Sequence, residues 1–196
     1  MQKKVLMVVT ASALFASFNV LAEAGDWMVR ARVVNIDAHN SSSPVTGAAL
    51  SNKTIPEVDI SYFFTGNISA ELILTYPQKH DVTLNGALLG TLKELPPTLL
   101  AQYHFMPGSS FSPYVGAGLN YTRYSNVSMP GFSTSKSSAG GALQMGFDVP
   151  INKNLSFNVD LKKIYMKIDV NTAAGAYVTT LKIDPVLLGV GLGWKF

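Results

Sequence analysis

The sequence predicts an all-β protein: an eight-stranded antiparallel transmembrane β-barrel with short periplasmic turns and longer extracellular loops. Three observations carry that expectation. Apolar residues alternate with polar or small ones in eight successive runs, and a period of two is the signature of a strand. The connections between runs alternate in length, short and then long, as in an outer-membrane barrel. Aromatic residues gather near the ends of the apolar sets, where the two membrane interfaces would lie.

The first run, DWMVRARVVNI, puts Trp27, Val29, Ala31 and Val33 on one side and Met28, Arg30 and Arg32 on the other. The second, EVDISYFFT, sets Val58, Ile60, Tyr62 and Phe64 against Glu57, Asp59 and Ser61. The third, ISAELILTY, sets Ile68, Ala70, Leu72, Leu74 and Tyr76 against Ser69, Glu71, Ile73 and Thr75. The fourth opposes Leu99, Ala101, Tyr103 and Phe105 to Thr98, Leu100, Gln102 and His104. The fifth opposes Val115, Ala117, Leu119 and Tyr121 to Gly116, Gly118, Asn120 and Thr122. The sixth opposes Leu143, Met145, Phe147 and Val149 to Ala142, Gln144, Gly146 and Asp148. The seventh opposes Leu155, Phe157, Val159 and Leu161 to Ser156, Asn158, Asp160 and Lys162. The eighth is the tail, where Val186, Leu188, Val190, Leu192, Trp194 and Phe196 interleave with Gly189, Gly191 and Gly193. Thr65-Gly66-Asn67, MPGSSFS and PINKN are short turns. The stretches 37–54, 77–93, 125–137 and 169–180 are expected as the longer loops.

Composition narrows the class. The chain has 196 residues and no cysteine, so neither a disulfide framework nor a thiolate metal site exists. Charged residues make up 14%, low against the roughly 25% usual in soluble domains. The formal charge is only +3, with no basic run, which gives nucleic-acid binding no support. Residues 1–22 carry Lys3 and Lys4, an apolar run from Val5 and a small-residue site at Val20-Leu21-Ala22. That is the pattern of a cleaved signal peptide, with cleavage expected after Ala22 or, alternatively, Ala24. Residues 23–196 then form a single barrel domain. No later segment reaches the about 20 apolar residues a spanning helix needs.

Alternation alone leaves open whether the apolar face meets lipid or a soluble barrel's interior. The polar set is rich in glycine, which suits the cramped inside of a narrow barrel, and the aromatics sit where girdles would. Both favour lipid outside. Arg30, Arg32, Glu57, Asp59, Glu71, Asp148, Asp160 and Lys162 would then point inward and need partners across the lumen. They form a structural ion-pair network or line a path or plug; a wide aqueous pore is not expected either way. Val34, Ile55, Leu100, Tyr124, Ile164 and Met166 are apolar residues of the inward set near the loops, and are candidates to line an upper cavity. Pro96 and Pro97 open the fourth run, where each removes a ladder donor.

Several stretches resemble the OmpW family of small outer-membrane barrels. AGDWMVRARVVNI resembles its opening strand, ISAELILTYPQKHDV its third, FSPYVGAGLNYT its fifth and KIDPVLLGVGLGWKF its closing strand. LKELPPTLLAQYHF is the most specific match. The first two loops match nothing in the family, the third is short, and Lys162 and Lys163 stand where the family tends to have Arg-Tyr or Trp-Tyr pairs. The resemblance implies a monomer in the outer membrane of a Gram-negative bacterium and passive uptake of small apolar solutes. It also implies lateral release at Pro96 and Pro97, with no cofactor. Some members serve as bacteriocin or phage receptors, so a receptor or structural role without transport is the alternative. Likeness to outer-membrane barrels generally implies that Trp194 and Phe196 form the signal read by the assembly machinery. Asp37, His39 and Ser41–Ser43 lie close in sequence, but neither an orienting group nor oxyanion donors accompany them. No enzyme activity and no metal site are expected.

Overall fold

In lipid, every backbone N–H and C=O needs a partner within the protein, so a sheet can span only if it closes on itself. A computed structural model describes residues 23–196, and they meet that condition. The signal peptide expected at 1–22 lies outside the described residues. The strands are β1 (Trp27–Asp37), β2 (Ser41–Ser43), β3 (Ala48–Leu50), β4 (Lys53–Phe63), β5 (Ile68–Leu74), β6 (Gln78–Leu84), β7 (Ala87–Leu95) and β8 (Thr98–His104). They continue as β9 (Ser112–Ser128), β10 (Phe132–Thr134), β11 (Ser137–Pro150), β12 (Leu155–Ile164), β13 (Lys167–Thr172), β14 (Tyr177–Lys182) and β15 (Val186–Lys195).

Eight of these close the barrel in the order β1, β4, β5, β8, β9, β11, β12, β15, every neighbour antiparallel. The last seam runs from Met28 opposite Lys195 to Asp37 opposite Val186. Trp27 and Phe196 complete it, exchanging two backbone hydrogen bonds of 2.9 Å.

Period two sorts the side chains. Val33, Leu72, Leu99, Leu119, Met145 and Leu188 are exposed on the outer face. The residues between them are buried and largely polar. From Leu155 up to Tyr165, about 3.4 Å per residue and ~40° of tilt give roughly 26 Å, the height of an apolar membrane band. Trp27, Phe64, Tyr103, Phe105, Trp194 and Phe196 lie exposed at the short-turn end; Tyr76, Tyr121 and Tyr165 mark the other. The glycines of the tail answer to register. Gly193 stands opposite Arg30, Gly191 opposite Arg32 and Gly189 opposite Val34, so large inward side chains on β1 face bare positions on β15.

The stretches expected as long loops carry strands instead. β6 and β7 form a hairpin that pairs onward to β3 and to the upper end of β9, while β10, β13, β14 and β2 make a separate four-stranded sheet. Together they raise the barrel into an extracellular extension. Its core is apolar: Leu50, Val82, Leu92, Tyr124, Met129, Met166, Ile168 and Leu181 pack in one cluster. Three-residue strands such as β2, β3 and β10 carry too little alternation to show in the sequence.

The closing seam tolerates added volume unevenly. A Cβ at residue 191 would lie 2.0 Å from the Ala31 carbonyl oxygen, whereas one at 189 meets only side-chain atoms of Arg32 and Val34 at 3.2 Å. Gly191→Ala should therefore destabilise the barrel by about 1–3 kcal/mol and Gly189→Ala by clearly less, measured by urea unfolding in micelles.

Candidate functional site

The lumen is organised in three levels. The lowest is ionic. Each of the eight charged residues expected to face inward is no more than 5% exposed. Arg30 forks onto Asp148, Nη2 to Oδ2 at 2.9 Å and Nε to Oδ1 at 3.3 Å, and also reaches Ser61, Glu71 and Asp59. Arg32 contacts Asp59, Glu57 at 3.2 Å and Glu71 at 3.3 Å, and donates to Asn158 at 2.6 Å. Lys162 lies 2.6 Å from Glu57 and 2.8 Å from Asp160.

Neutral side chains knit this network across the barrel. Gln144 donates to Glu71 and to Asp160 at 2.7 Å each, and accepts from Gln102 at 2.8 Å. Tyr114 donates to Asp160 at 2.8 Å and accepts from Asn158 at 3.1 Å. Tyr114 was not singled out from the sequence. Its signal was its place in the period-two set of Gly116, Gly118 and Asn120, and its room comes from Gly146, where a Cβ would sit 2.5 Å from the ring. His104 is buried below, between Phe63 and Tyr114.

The middle level is an apolar neck. Val34, Ile55, Leu100 and Ile164 pack with Ile36, Ile73, Ala142 and Leu187. Tyr124 and Met166 continue upward as part of the extension's core. The first four of these six residues fill the neck, and Tyr124 and Met166 pack directly above it. The cavity lies above them, about 60 Å³, and its wall includes Leu50, Val82, Leu92, Met129, Ile168 and Leu181. None of the six lines it, because strand pairing continues upward through what read as loops and lifts the vestibule with it.

The third feature is a gap in the wall. The β5–β8 ladder ends where Ile73 faces Thr98. The β6–β7 ladder starts where Gln78 faces Glu94. Between them, 75–77 and 95–97 make no cross-strand pairs with each other. Pro96 and Pro97 sit in this interval. The Pro97 carbonyl accepts from Tyr121 N–H at 3.1 Å, so its missing donor faces β9. Pro96 lacks a donor as well, and its carbonyl accepts from the side chains of Thr98 at 3.2 Å and Asn120 at 3.3 Å rather than from a ladder. Thr75 Oγ1 and Gln78 Oε1, both at this break, are buried without a hydrogen-bond partner. A recess of about 620 Å³ opens here on the outer wall, bounded by lipid-facing Leu72, Leu99 and Leu119 and by lumen-facing Thr98 and Asn120. Asn120 donates to Thr98 Oγ1 at 2.9 Å and accepts from Thr122, which also contacts Met166 Sδ at 3.3 Å. The foot of the extension's core is thus two side chains from the gap.

The residues of the first connection do not assemble a catalytic group. His39 is exposed, Asp37 accepts from Asn52 at 2.8 Å, and Ser42 Oγ accepts from Ala48 N–H at 3.1 Å.

A closed eight-stranded barrel with an ion-paired lumen and a lipid-facing apolar band defines a small integral outer-membrane protein. The OmpW family model matches residues 23–196, and the chain belongs to that family. It is similar to outer-membrane protein y4mB of Sinorhizobium fredii, 38% identical over 193 residues covering 92% of this chain and 84% of that one. The crystal structure of outer membrane protein OprG from Pseudomonas aeruginosa superposes with a TM-score of 0.77 at 30% identity, covering 89% of this chain and 97% of that one. A more distant relative is the dibenzothiophene metabolism operon protein PahQ of Pseudomonas aeruginosa, 24% identical over 192 residues covering 89% and 90%. The protein resides in the outer membrane of a Gram-negative bacterium.

Just above the gap, buried His80 Nε2 lies 3.3 Å from Glu94 Oε1, and its Nδ1 is 2.9 Å from the Ser51 carbonyl. Burial opposes the charged imidazole, but Glu94 and the Ser51 carbonyl outweigh burial and the nearby Lys53, and hold its pKa above the ordinary value. The folded extension therefore binds this proton more tightly than the unfolded chain does. Its stabilisation is full below about pH 6.5 and fades as pH rises through the raised folded-state pKa. Amides of β6 and β7 should exchange more slowly at about pH 6 than at about pH 8.5 once intrinsic exchange rates are corrected for, and His80→Gln should abolish the difference.

Proposed function

We propose that the barrel takes up small apolar molecules passively from outside the cell and releases them sideways into the bilayer at Pro96–Pro97. The observation that carries this reading is the order of the levels: apolar vestibule, wall gap beside its foot, ionic seal beneath. An apolar solute gains by entering a vestibule walled by Leu92, Ile168 and Leu181. To continue downward it would have to part three cations from five carboxylates in a lumen with no room for bulk water, which costs several kcal/mol for each pair broken. To move sideways it would have to pass Thr98 and Asn120, neutral groups beside a segment already lacking ladder bonds. Met166 and Tyr124 act as the movable side chains between vestibule and gap.

The solute class follows from the walls. They offer dispersion contacts and hardly any hydrogen-bond partners, which favours hydrocarbons and flat heteroaromatics over sugars or amino acids. The name of the relative PahQ ties that protein to an operon for dibenzothiophene metabolism, and dibenzothiophene is a flat, apolar heterocycle of this kind.

The test is the double variant Pro96→Ala/Pro97→Ala, which restores both donors. Cells carrying it should accumulate naphthalene several-fold more slowly than cells with the natural protein at equal levels of folded barrel. Unchanged uptake would overturn the lateral route.

A further inference from the structure

Beyond the upper aromatic belt, the outer surface is basic. β13 and β14 place Lys167 directly opposite Lys182. Both point outward and are exposed, because their neighbours Ile168 and Leu181 are buried in the extension. Like charges directly opposed across a ladder destabilise the sheet, so the pair calls for an anion. Two carboxylates stand near and offset part of this charge, though neither forms a salt bridge with the pair. Asp169 Oδ1 accepts from the Thr180 hydroxyl at 2.6 Å, and Asp184 Oδ1 accepts from Met166 N–H at 3.1 Å. Neither lysine takes part in a salt bridge among the described residues.

A recess of about 250 Å³ opens beside the pair, lined by Gly140, Tyr165, Met166, Lys167, Lys182 and Asp184. Gly140 in its lining must stay bare, because a Cβ there would lie 1.7 Å from the Tyr165 carbonyl oxygen. Tyr165, 44% exposed, stands at the top of the apolar band. Below it the lipid-facing Leu143, Leu161 and Leu188 continue down the wall. The arrangement is two ammonium groups at headgroup height above a continuous apolar strip.

We propose that this recess binds a phosphorylated lipid of the outer leaflet. One phosphate sits between Lys167 and Lys182 in charge-assisted hydrogen bonds. An acyl chain of the same molecule lies over Tyr165 and the leucines beneath. The occupant is a membrane lipid rather than a soluble anion because the lysines open onto the bilayer face and the apolar strip leads directly away from them. A second opposed pair, Lys79 and Lys93 on β6 and β7, stands on the other side of the barrel. It repeats the charge pattern, with Asp81 beside Lys79 as Asp169 is beside Lys167, but stands away from the Gly140–Tyr165 recess, which makes that pair the matched control for charge alone.

The experiment is native mass spectrometry of the folded barrel in detergent with added lipid A, compared with the same glycolipid stripped of its phosphates. The natural protein should retain the phosphorylated form in preference. The double variant Lys167→Gln/Lys182→Gln should weaken that retention about tenfold or more, while Lys79→Gln/Lys93→Gln should change it by less than about threefold. Heat-shifted gel mobility confirms that each variant is folded. Equal losses in the two double variants would reduce the site to a diffuse basic rim and overturn the proposal. Equal retention of the dephosphorylated form, or displacement of the lipid by inorganic phosphate, would overturn it as well.

Discussion

A charge inside a barrel too narrow for bulk water persists only with a partner, and the lower half of this molecule is built around that constraint. Arg30 and Arg32 come from one strand, yet their partners lie on β4, β5, β11 and β12. The network thus ties together strands that share no ladder. It also dictates composition elsewhere. Glycines on β15 face the two arginines, and Gly146 yields space to Tyr114, whose hydroxyl bridges Asp160 and Asn158. The same network fills the lower lumen with buried, paired charge.

The backbone imposes the second constraint. A closed sheet satisfies its hydrogen bonds everywhere except where the sequence withholds donors. Pro96 and Pro97 withhold two, at the height where the apolar vestibule meets the neck. Irregular backbone at membrane depth is tolerated only where it lines a cavity or is covered by protein. The recess at Thr98 and Asn120 and the unpartnered Thr75 Oγ1 and Gln78 Oε1 fit that description.

Much of this was legible in the sequence because lipid and lumen enforce opposite chemistry on alternate residues. Leu99 and Gln102 read as outward and inward before any pairing was known, and β8 places them so. The inward charges were legible as a set, but their partners were not, since pairing across the lumen depends on register. The extension was illegible for a different reason. In β6 the buried positions are Gln78 and His80 as well as Val82, so burial and hydropathy do not coincide there. The strand β2 pairs with β14, far along the chain, and a three-residue run of serines announces no strand. Hence Val34, Ile55 and Leu100 read as cavity lining although they fill the neck, one level below the vestibule. The prolines were visible as lost donors; the recess beside them needed the third dimension.

The central claim is that an apolar solute passes from the vestibule to the wall without crossing the ionic level. Paramagnetic relaxation enhancement in lipid bilayers tests it most directly, with a nitroxide-bearing apolar solute added to the isotope-labelled barrel. The account predicts broadening of Leu92 and Ile168 in the vestibule and of Thr98 and Asn120 at the gap. Asn158 and Gln144 in the network should stay sharp. Broadening of Asn158 and Gln144 with Thr98 and Asn120 unaffected would contradict it.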